Sequence, residues 1–465
     1  MMPDPSGKRR IRQQAAATPA ARYARLLLST TDSLTGTARA RHVFAQQPSD
    51  QRPSDRAFDE PLEKQKAATS IADDWASSGL MPLCGAADGP ALRAAHAIPT
   101  CARGALVALR QLTGVNVLPG HSGATLLSER AAFHGWPRRG QTSVNGHCHL
   151  LPSADGWVAL NLARGEDVDL LPALFAPNVA AGETDRLLSH DLAVIRACVA
   201  RMHTDTLLQR GRLLGLAIAA PSEPTLHDAA NWQHVLRTGE RRHRRPDERP
   251  KVLDLSALWA GPLCTHLLAA AGASVAKVES ATRPDASRTG LPDFFELLNA
   301  GKSQHILDIT TAAGVAALRG MIASADVVIE SARPRALQAL GIDAAACIAQ
   351  QPGLVWLRIT GHGCADDHAD WIAFGDDAAI AGGAAITTHD GPLFCGDALA
   401  DPLTGLHAAV AAWQAWQTGQ AALLDVSLSG VTAWCMQFAR DVPCLTPPAD
   451  AITRPLRRRA QALGR

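Results

Sequence analysis

The sequence predicts an α/β fold: a doubly wound, Rossmann-like parallel sheet in the C-terminal half, with a smaller α+β domain supplied by the N-terminal half. From Lys251 onward, short apolar runs alternate with helical runs of similar spacing. This alternation is typical of βαβ units. The apolar runs show no polar alternation, which indicates strands that are buried on both faces, as in a parallel sheet.

The elements of the C-terminal half follow in a regular order. The predicted strands are Val252–Leu255, Ser274–Val278, His305–Ile309, Asp326–Glu330 and Leu354–Ile359, and the predicted helices are Pro262–Ala270, Ala313–Ser324 and Pro334–Leu340. Ligands of such sheets bind at the carboxyl ends of the strands. We therefore expect the binding site at Ser256–Pro262, Glu279–Arg288, Glu330–Pro334 and Thr360–Gly363. No glycine-rich dinucleotide motif or P-loop follows these strands.

The remaining segments differ in composition. Residues 1–70 are polar and Arg-rich, which predicts a disordered extension or an organelle transit peptide. Residues 71–235 mix helical runs (Ala102–Leu112, Leu187–Met202) with strand-like Trp157–Leu162, and indicate a small domain plus a degenerate segment. The charged stretch 236–250, bounded by prolines, predicts a linker. We expect one catalytic domain over 251–440 and a tail over 441–465.

Composition excludes several classes of function. Lys and Arg total 45 against 44 Asp and Glu, so nucleic acid or an anionic membrane is not expected as the main partner. No apolar run is long enough to span a membrane. The ten cysteines form no CxxC pair and no Cys/His cluster at zinc spacing. These features predict reduced thiols, no metal and a cytoplasmic protein.

Six stretches in the C-terminal half, taken in order, resemble family III (CaiB/BaiF-type) CoA-transferases. They are Val252–Pro262, Val275–Glu279, Leu298–Lys302 with Leu307–Ile309, Ala325–Glu330, Ile359–Gly363 and Gly396–Gly405. The resemblance implies an enzyme that moves CoA from an acyl-CoA thioester to a free carboxylic acid, through aspartyl anhydride and aspartyl-CoA intermediates. The residue that matches the nucleophile is Asp401.

The local sequence around Asp401 is compatible with that role. Asp401 directly precedes Pro402 and a predicted helix, so it lies near a helix N-terminus, where the dipole favours an ionised carboxylate. The same Asp-Pro pair is also an ordinary helix cap. The pair Asp376-Asp377 is a second carboxylate candidate, although a solvated loop ahead of a helix is its simpler interpretation.

The resemblance also implies where CoA, the expected co-substrate, would bind. Trp259 and Ala260 would line the thioester end of the site. Arg283 and Arg288 are candidates for the nucleotide phosphates, because guanidinium groups bind phosphate in a bidentate manner. Lys277 and Lys302 are further candidates, since lysine is rare in this chain. The expected partners are an acyl-CoA and a small carboxylic acid.

The order of features differs from that of an ordinary family member. Asp155–Leu162 and Leu214–Pro221 resemble the family's small domain, although they precede the Rossmann-like part. The segment Trp75–Ala108 echoes Trp371–Ala409, and Thr100 stands at the position that matches Asp401. The first copy is therefore a degenerate unit without a nucleophile. The resemblance implies an interlocked homodimer or pairing with a second subunit.

Two alternatives to CoA transfer remain open at this point. One is an α-methylacyl-CoA racemase or CoA-ester isomerase, in which His362 or His368 would be the acid/base partner, because Phe374 occupies the segment where related racemases have a histidine. The other is a non-catalytic CoA-binding subunit that keeps the fold. The stretch Ser143–His147 has one glycine, where the family often has a glycine-rich loop that covers the intermediate.

Overall fold

The computed structural model describes residues 18–29, 70–180, 182–221, 223 and 231–440. Its strands are β1 (Cys148–Pro152), β2 (Trp157–Asn161), β3 (Ala217–Ala219), β4 (His234–Arg241), β5 (Lys251–Leu255), β6 (Ser274–Ser280), β7 (Ser303–Leu307), β8 (Val327–Glu330), β9 (Val355–Thr360), β10 (Ile386–Thr388), β11 (Gly391–Leu393) and β12 (Gln420–Ser427).

Helices of very different lengths connect these strands. They are α1 (Pro19–Ser29), α2 (Ile71–Ser78), α3 (Ile98–Thr113), α4 (Gly123–Leu126), α5 (Glu129–His134), α6 (Gly165–Asp169), α7 (Leu171–Phe175), α8 (Glu183–Leu188), α9 (Leu192–Ala200), α10 (Thr204–Leu213), α11 (Ala260–Ala270), α12 (Ser287–Gly290), α13 (Pro292–Asn299), α14 (Ala312–Ser324), α15 (Pro334–Ala339), α16 (Ala344–Gln350), α17 (Gly375–Ala381), α18 (Ala400–Thr418) and α19 (Leu428–Arg440). Within the described ranges, none of these helices is both long and apolar enough to cross a membrane.

A seven-stranded sheet organises the C-terminal half, with the strand order β4-β12-β9-β8-β5-β6-β7. All neighbours are parallel except β4, which pairs antiparallel with β12. Residues of α11 and α18 pack in one core with Val252 and Leu357, while residues of α14 and α16 pack in another core with Leu253 and Trp356. Alternate residues of the strands thus face helices on opposite sides, which confirms the predicted doubly wound α/β fold.

A second, smaller sheet lies in the N-terminal half. Strands β1, β2 and β3 pair antiparallel in that order, with Cys148 opposite Asn161 and Leu160 opposite Ile218. Leu151, Val158 and residues of α7 to α10 form their own apolar core. The predicted strand at 157–162 is therefore present, whereas the helical run Leu187–Met202 is divided between the end of α8 and α9.

Two segments differ from the sequence-based expectation. Residues 19–29, which fall within the expected disordered extension, form α1, whose Tyr23 and Leu27 are fully buried. Residues 236–241, the start of the expected linker, belong to the edge strand β4. The other parts of 1–70, apart from residues 18 and 70, and the whole of 441–465 lie outside the described residues.

Two helix pairs, one in each half of the chain, meet through equivalent close approaches. A Cβ at Gly104 of α3 would lie 2.7 Å from the carbonyl oxygen of Ala20 in α1. A Cβ at Gly405 of α18 would lie 2.7 Å from the carbonyl oxygen of Ala260 in α11. The two glycines are the ones that the internal echo of the sequence aligns, and α3 and α18 pack in one common core. The internal echo of the sequence therefore corresponds to two helix pairs that meet in the same way.

The close approach at Gly405 predicts a stability effect. We expect Gly405→Ala to lower the free energy of unfolding by about 1–3 kcal/mol, because the new methyl group meets backbone of α11 and the side chain of Leu263. Chemical denaturation measures this change. The matched control is Gly320→Ala in the exposed middle of α14, where no atom lies within 4 Å of the added Cβ. That substitution should be neutral or stabilising by up to about 1 kcal/mol, and equal effects of the two substitutions would contradict the prediction.

Candidate active site

Asp401 lies in the first turn of α18, at the carboxyl edge of the large sheet. The N-cap residue of this helix is Leu399, which makes no side-chain capping bond, so Asp401 is not the cap that its Asp-Pro context also suggested. Its side chain is partly exposed, while the following residue Pro402 is buried. The backbone N–H of Gly375 donates to the Asp401 carboxylate. A Cβ at Gly375 would lie 2.7 Å from Asp401 Oδ2, which only glycine avoids.

Two more carboxylates border Asp401. Asp376 is the second residue of α17, and its Oδ1 accepts the backbone N–H of Ala398 at 2.8 Å, while its Oδ2 accepts Asn145 Nδ2 at 3.1 Å. Asp397 stands immediately before Ala398 and is fully buried. Ala398 itself has φ = 41°, an uncommon value for a residue with a side chain. The segment 397–401 is therefore held in a strained turn by the α17 carboxylate.

Burial and mutual repulsion raise the pKa values of these acids. The pKa of Asp401 is raised to about 7 by burial, an effect that Arg130 opposes and that Asp376 and Asp397 reinforce. Burial and Asp397 likewise raise the pKa of Asp376 to about 7, against Arg130, the Ala398 N–H and Asn145. A nucleophilic carboxylate at this position consequently changes its charge near neutral pH.

Arg130 in α5 is the cation of the cluster. Its Nε and Nη2 donate to Oδ2 and Oδ1 of Asp397 at 2.8 and 2.7 Å, which is a bidentate ion pair. Its guanidinium carbon lies 4.6 Å from the centroid of the Trp259 ring. Burial alone would lower the pKa of Arg130, but the ion pair with Asp397 raises this pKa above its usual value. The N-terminal half thus supplies a permanent positive charge to the Asp401 site.

Asp377, the second member of the acidic pair, has a structural role. Asn161 Nδ2 donates to its Oδ1 at 2.8 Å, and the backbone N–H of Phe374 donates to the same carboxylate. Burial raises its pKa to about 8, against these two bonds. Asp376 and Asp377 are both buried at the start of α17, so the expectation of a solvated loop at this pair is wrong. Asp377 ties α17 to the small sheet through β2.

Trp259 and Ala260, the predicted lining of the thioester end, stand at the carboxyl end of β5. Trp259 packs edge-on against Phe294, and its ring lies beside Arg130 of the Asp401 cluster. The preceding Leu258 has φ = 67°, and its backbone N–H donates to Asp285. A bulky residue in this conformation is costly, so the bond to Asp285 holds the turn in place. The Trp259 ring thus lies against Arg130 of the Asp401 cluster, and Ala260 follows it at the start of α11.

Lys277 and Lys302 lie beneath this turn rather than on its surface. Lys277 Nζ donates to the carbonyl of Ser256 at 2.9 Å and pairs with Asp285 at 3.2 Å. Lys302 Nζ pairs with Asp254 at 3.1 Å and donates to Thr265 Oγ1 at 2.7 Å. Neither lysine side chain is exposed. In this arrangement both ammonium groups support the β5 turn from inside, and neither is available to a phosphate.

Arg283 and Arg288, the predicted phosphate ligands, are placed differently from each other. Arg288 Nη2 donates to Glu279 Oε1 at 2.6 Å and to Gln304 Oε1 at 2.8 Å, so its guanidinium is already engaged. Arg283 is exposed in the loop after β6. Burial, Arg335, Arg164 and Arg283 lower the pKa of Arg333, whereas Asp370 raises it, so these groups lie near one another. Arg164 is paired with Asp167, and Arg335 with Asp370. The four arginines form a basic cluster, partly neutralised by these acids, at the sheet's carboxyl edge.

Sequence reasoning missed Arg130, Asp397 and Arg333. Arg333 follows β8 in one of the predicted strand-end segments, so its position was a usable signal. Asp397 lies within the matched stretch Gly396–Gly405, but nothing in the sequence distinguishes its role from that of a surface acid. Arg130 carries no motif, and its partner Asp397 is 267 residues away. Only the tertiary fold reveals that pair.

The remaining candidates occupy other places. His362 is buried beside Ser429, with Nδ1 and Oγ 3.3 Å apart, and His368 packs on Trp371 with ring centroids 4.2 Å apart. In the stretch Ser143–His147, Asn145 reaches Asp376. The stretch with one glycine therefore borders the Asp401 cluster within one chain.

Across the described ranges, no group of three or more His, Cys, Asp or Glu side chains could hold a metal ion.

Part of the chain is similar to known proteins. Residues 249–444 match the model of "CoA-transferase family III". A succinyl-CoA–D-citramalate CoA-transferase of Chloroflexus aurantiacus is 32% identical over 204 residues, which cover 41% of this chain and 51% of that protein. A formyl-CoA:oxalate CoA-transferase of Escherichia coli O6:H1 is 34% identical over 167 residues, which cover 34% of this chain and 40% of that protein. The chain thus spans about half the length of the curated relatives it matches, or less.

Solved structures give a partial likeness. A hypothetical protein of Mycobacterium tuberculosis is 27% identical with a TM-score of 0.37, and the match covers 41% of this chain and 57% of that one. A CaiB/BaiF family protein of Brucella suis is 28% identical with a TM-score of 0.37, covering 41% and 55% of the two chains.

Proposed function

We propose that the protein moves CoA from an acyl-CoA thioester to a free carboxylic acid, with Asp401 as the nucleophile; residues 249–444 of the chain match the family III CoA-transferase model. The observation that carries the proposal is the position of Asp401. Asp401 is a partly exposed residue on which the charge of the buried Arg130 acts, while the neighbouring acids Asp376 and Asp397 are both buried and hydrogen-bonded.

The proposed reaction begins with attack of the ionised Asp401 carboxylate on the thioester carbonyl. The C–S bond breaks, CoA leaves as a thiolate, and an acyl-aspartyl anhydride forms. The thiolate then attacks the aspartyl carbonyl of the anhydride, which releases the donor acid and leaves aspartyl-CoA. The acceptor carboxylate then attacks the carbonyl of aspartyl-CoA, which releases the CoA thiolate and forms a second anhydride. The thiolate attacks the acceptor's acyl carbonyl in that anhydride, which forms the new thioester and regenerates Asp401 as a carboxylate. Splitting the exchange in this way replaces one difficult step by several easier ones.

The basic cluster at the sheet edge supports CoA as the co-substrate. Arg333 and Arg283 follow β8 and β6, and Arg164 approaches them from the small domain. Arg164 is already paired with Asp167 and Arg335 with Asp370, so we assign the phosphates of CoA to the guanidinium groups of Arg333 and Arg283. In this proposal the nucleotide end binds at the arginines, and the thioester end reaches the Trp259 turn.

The surroundings of Asp401 favour transfer over the two alternatives. Racemisation at Cα needs an acid and a base on either side of the substrate. His362 is packed against Ser429 and His368 against Trp371, while the groups that influence Asp401 most are Arg130, Asp376 and Asp397. A non-catalytic subunit needs no partly exposed carboxylate in a strained turn.

Trapping of the covalent intermediate tests the proposal. We expect hydroxylamine, added during incubation with a panel of acyl-CoAs, to convert Asp401 to a hydroxamate that peptide mass spectrometry locates. Asp401→Ala should abolish the modification. Asp376→Asn should still be modified at Asp401, because two hydrogen bonds keep the Asp376 carboxylate away from the substrate, so its loss removes no reacting group. Modification of Asp376 instead would refute the assignment. Solvent deuterium at Cα without an adduct would indicate racemisation, and CoA binding with neither signal would indicate a non-catalytic subunit.

A further inference from the structure

The Asp401 cluster holds more negative than positive charge. Three carboxylates, those of Asp376, Asp397 and Asp401, belong to two short segments that touch through the Ala398 N–H and the Gly375 N–H. Carboxylates this close cannot all ionise at neutral pH without a compensating cation. The cation within the cluster is Arg130, and it comes from α5, outside the residues that match the family model.

The guanidinium of Arg130 is fixed on two sides. The bidentate pair with Asp397 sets the plane and direction of one edge, with N–O distances of 2.8 and 2.7 Å. The Trp259 ring covers it at 4.6 Å and the Trp136 ring at 5.7 Å, both within cation–π distance. The Arg130 side chain is 12% exposed, so little water screens its charge.

We propose that Arg130 is a positioning residue, which keeps the Asp401 carboxylate ionised and ready to attack, and that Asp397 serves to hold Arg130 in that place. This inference rests on the proposed function of Asp401 and adds to it a residue of the N-terminal half. The arginine acts through its charge on Asp401 rather than by touching the substrate. A family III segment that ended at its own matched residues would lack this charge.

The other titratable groups near Arg130 do not supply the positive charge that Arg130 provides to Asp401. Burial and Arg130 lower the pKa of His134 in α5 and also that of His147 in the loop before β1, so both imidazoles are neutral near pH 7. Asp293 of α13 acts on His134 and adds further negative charge. The remaining groups are the acids of the cluster itself, which raise the pKa of Asp401, whereas Arg130 lowers it.

Titration of Asp401 itself tests the inference without any substrate. In the full chain labelled with ¹³C at the aspartate γ-carboxyl, the resonance that disappears in Asp401→Asn is Asp401, and we expect it to titrate near pH 7. In Arg130→Gln its midpoint should rise by at least about one pH unit. Arg130→Lys should recover at least half of that rise. The control Arg139→Gln, which removes an exposed arginine, should leave the midpoint unchanged.

The rate of adduct formation should fall when the ionised fraction of Asp401 falls. The rate of adduct formation in Arg130→Gln should fall roughly tenfold at pH 6 relative to the unchanged protein and recover toward pH 9, because one pH unit is a tenfold change in the ionised fraction. An arginine that only stabilises the fold would lower the rate equally at all pH values. If no adduct forms in the unchanged protein, the proposed function fails, while the ¹³C titration still decides the role of Arg130.

A second variant keeps the test decisive if Arg130→Gln does not fold. Asp397→Asn removes the ionised partner that holds Arg130 as well as a carboxylate that raises the pKa of Asp401. Because the proposal gives Asp397 the role of holding Arg130, the loss of that hold should outweigh the lost repulsion, and the midpoint of Asp401 should rise. An unchanged or lowered midpoint in Asp397→Asn would overturn the inference. An unchanged midpoint in a folded Arg130→Gln variant would do so as well.

Discussion

Asp401→Asn is expected to lower the rate of CoA transfer by about four orders of magnitude or more, which is the usual scale for loss of a covalent nucleophile. Asparagine has nearly the same shape as aspartate and can keep the contact with the Gly375 N–H, so the site should remain assembled. What is lost is the negative oxygen that attacks the thioester.

Neighbouring carboxylates should not rescue this variant. Asp376 is 3% exposed and both of its oxygens accept hydrogen bonds, from Ala398 and Asn145. Asp397 is fully buried in its pair with Arg130. Each would have to leave these partners to reach a substrate, at the cost of an unpaired buried group.

Single-turnover kinetics with an acyl-CoA and thermal unfolding should be measured together. We expect the melting temperature of Asp401→Asn to be unchanged or slightly higher, because one of three adjacent carboxylates is neutralised. Asp390→Asn, at a side chain that is 93% exposed, is the control and should retain full activity. More than about one-hundredth of the original rate in Asp401→Asn would contradict a covalent role for Asp401.

The parts of the fold that could be predicted are those whose signal is local. Strands β5, β6 and β8 are each built around Val, Leu, Ile and Ala residues, and the sequence marks their positions within a few residues. Strand β4 was missed because its residues are mostly exposed and polar, a composition that indicates a linker. Its identity as a strand comes from pairing with β12, far along the chain. An edge strand with charged side chains carries little apolar pattern of its own.

The candidate site divides in the same way. Asp401 and Trp259 stand in motifs that the sequence reveals, and in the structure the Trp259 ring lies against Arg130, whose charge acts on Asp401. Lys277 was selected because lysine is rare in this chain, but its role depends on Asp285 and Ser256, which close around it only in the folded state. Arg130 depends on a contact across the whole chain. A sequence motif identifies a reactive group, but not the charges that tune it.

The ion pair beneath the β5 turn leads to a large expected effect on stability. Asp254 and Lys302 are both fully buried, 3.1 Å apart, and Lys302 also donates to the carbonyl of Pro262 at 3.0 Å and to Asn299 Oδ1 at 2.9 Å. Burial opposes ionisation of Asp254, but Lys302 and Lys277 lower its pKa below the usual range. Each charge of this pair is therefore stable only in the presence of the other.

Lys302→Met is expected to lower the free energy of unfolding by about 3–5 kcal/mol, because it leaves the Asp254 carboxylate buried without its closest cation. Asp254→Asn should also be destabilising, since it leaves Lys302 charged in the same place. In the double variant no buried charge of the pair remains, so its loss should be smaller than the sum of the two single losses by more than about 1 kcal/mol. Urea denaturation of the three variants measures the terms of this cycle.

The same double-variant cycle shows whether Lys302 supports the β5 turn or contacts the substrate. Because Lys302 lies under the turn that presents Trp259 and Ala260, its loss should reduce transfer activity only as far as the turn loosens. We therefore expect the double variant to regain activity together with stability. A lysine that bound a CoA phosphate would behave differently, since the double variant would regain stability while the KM for acyl-CoA stayed high. Additive losses of stability in the cycle would show that the two buried charges do not depend on each other.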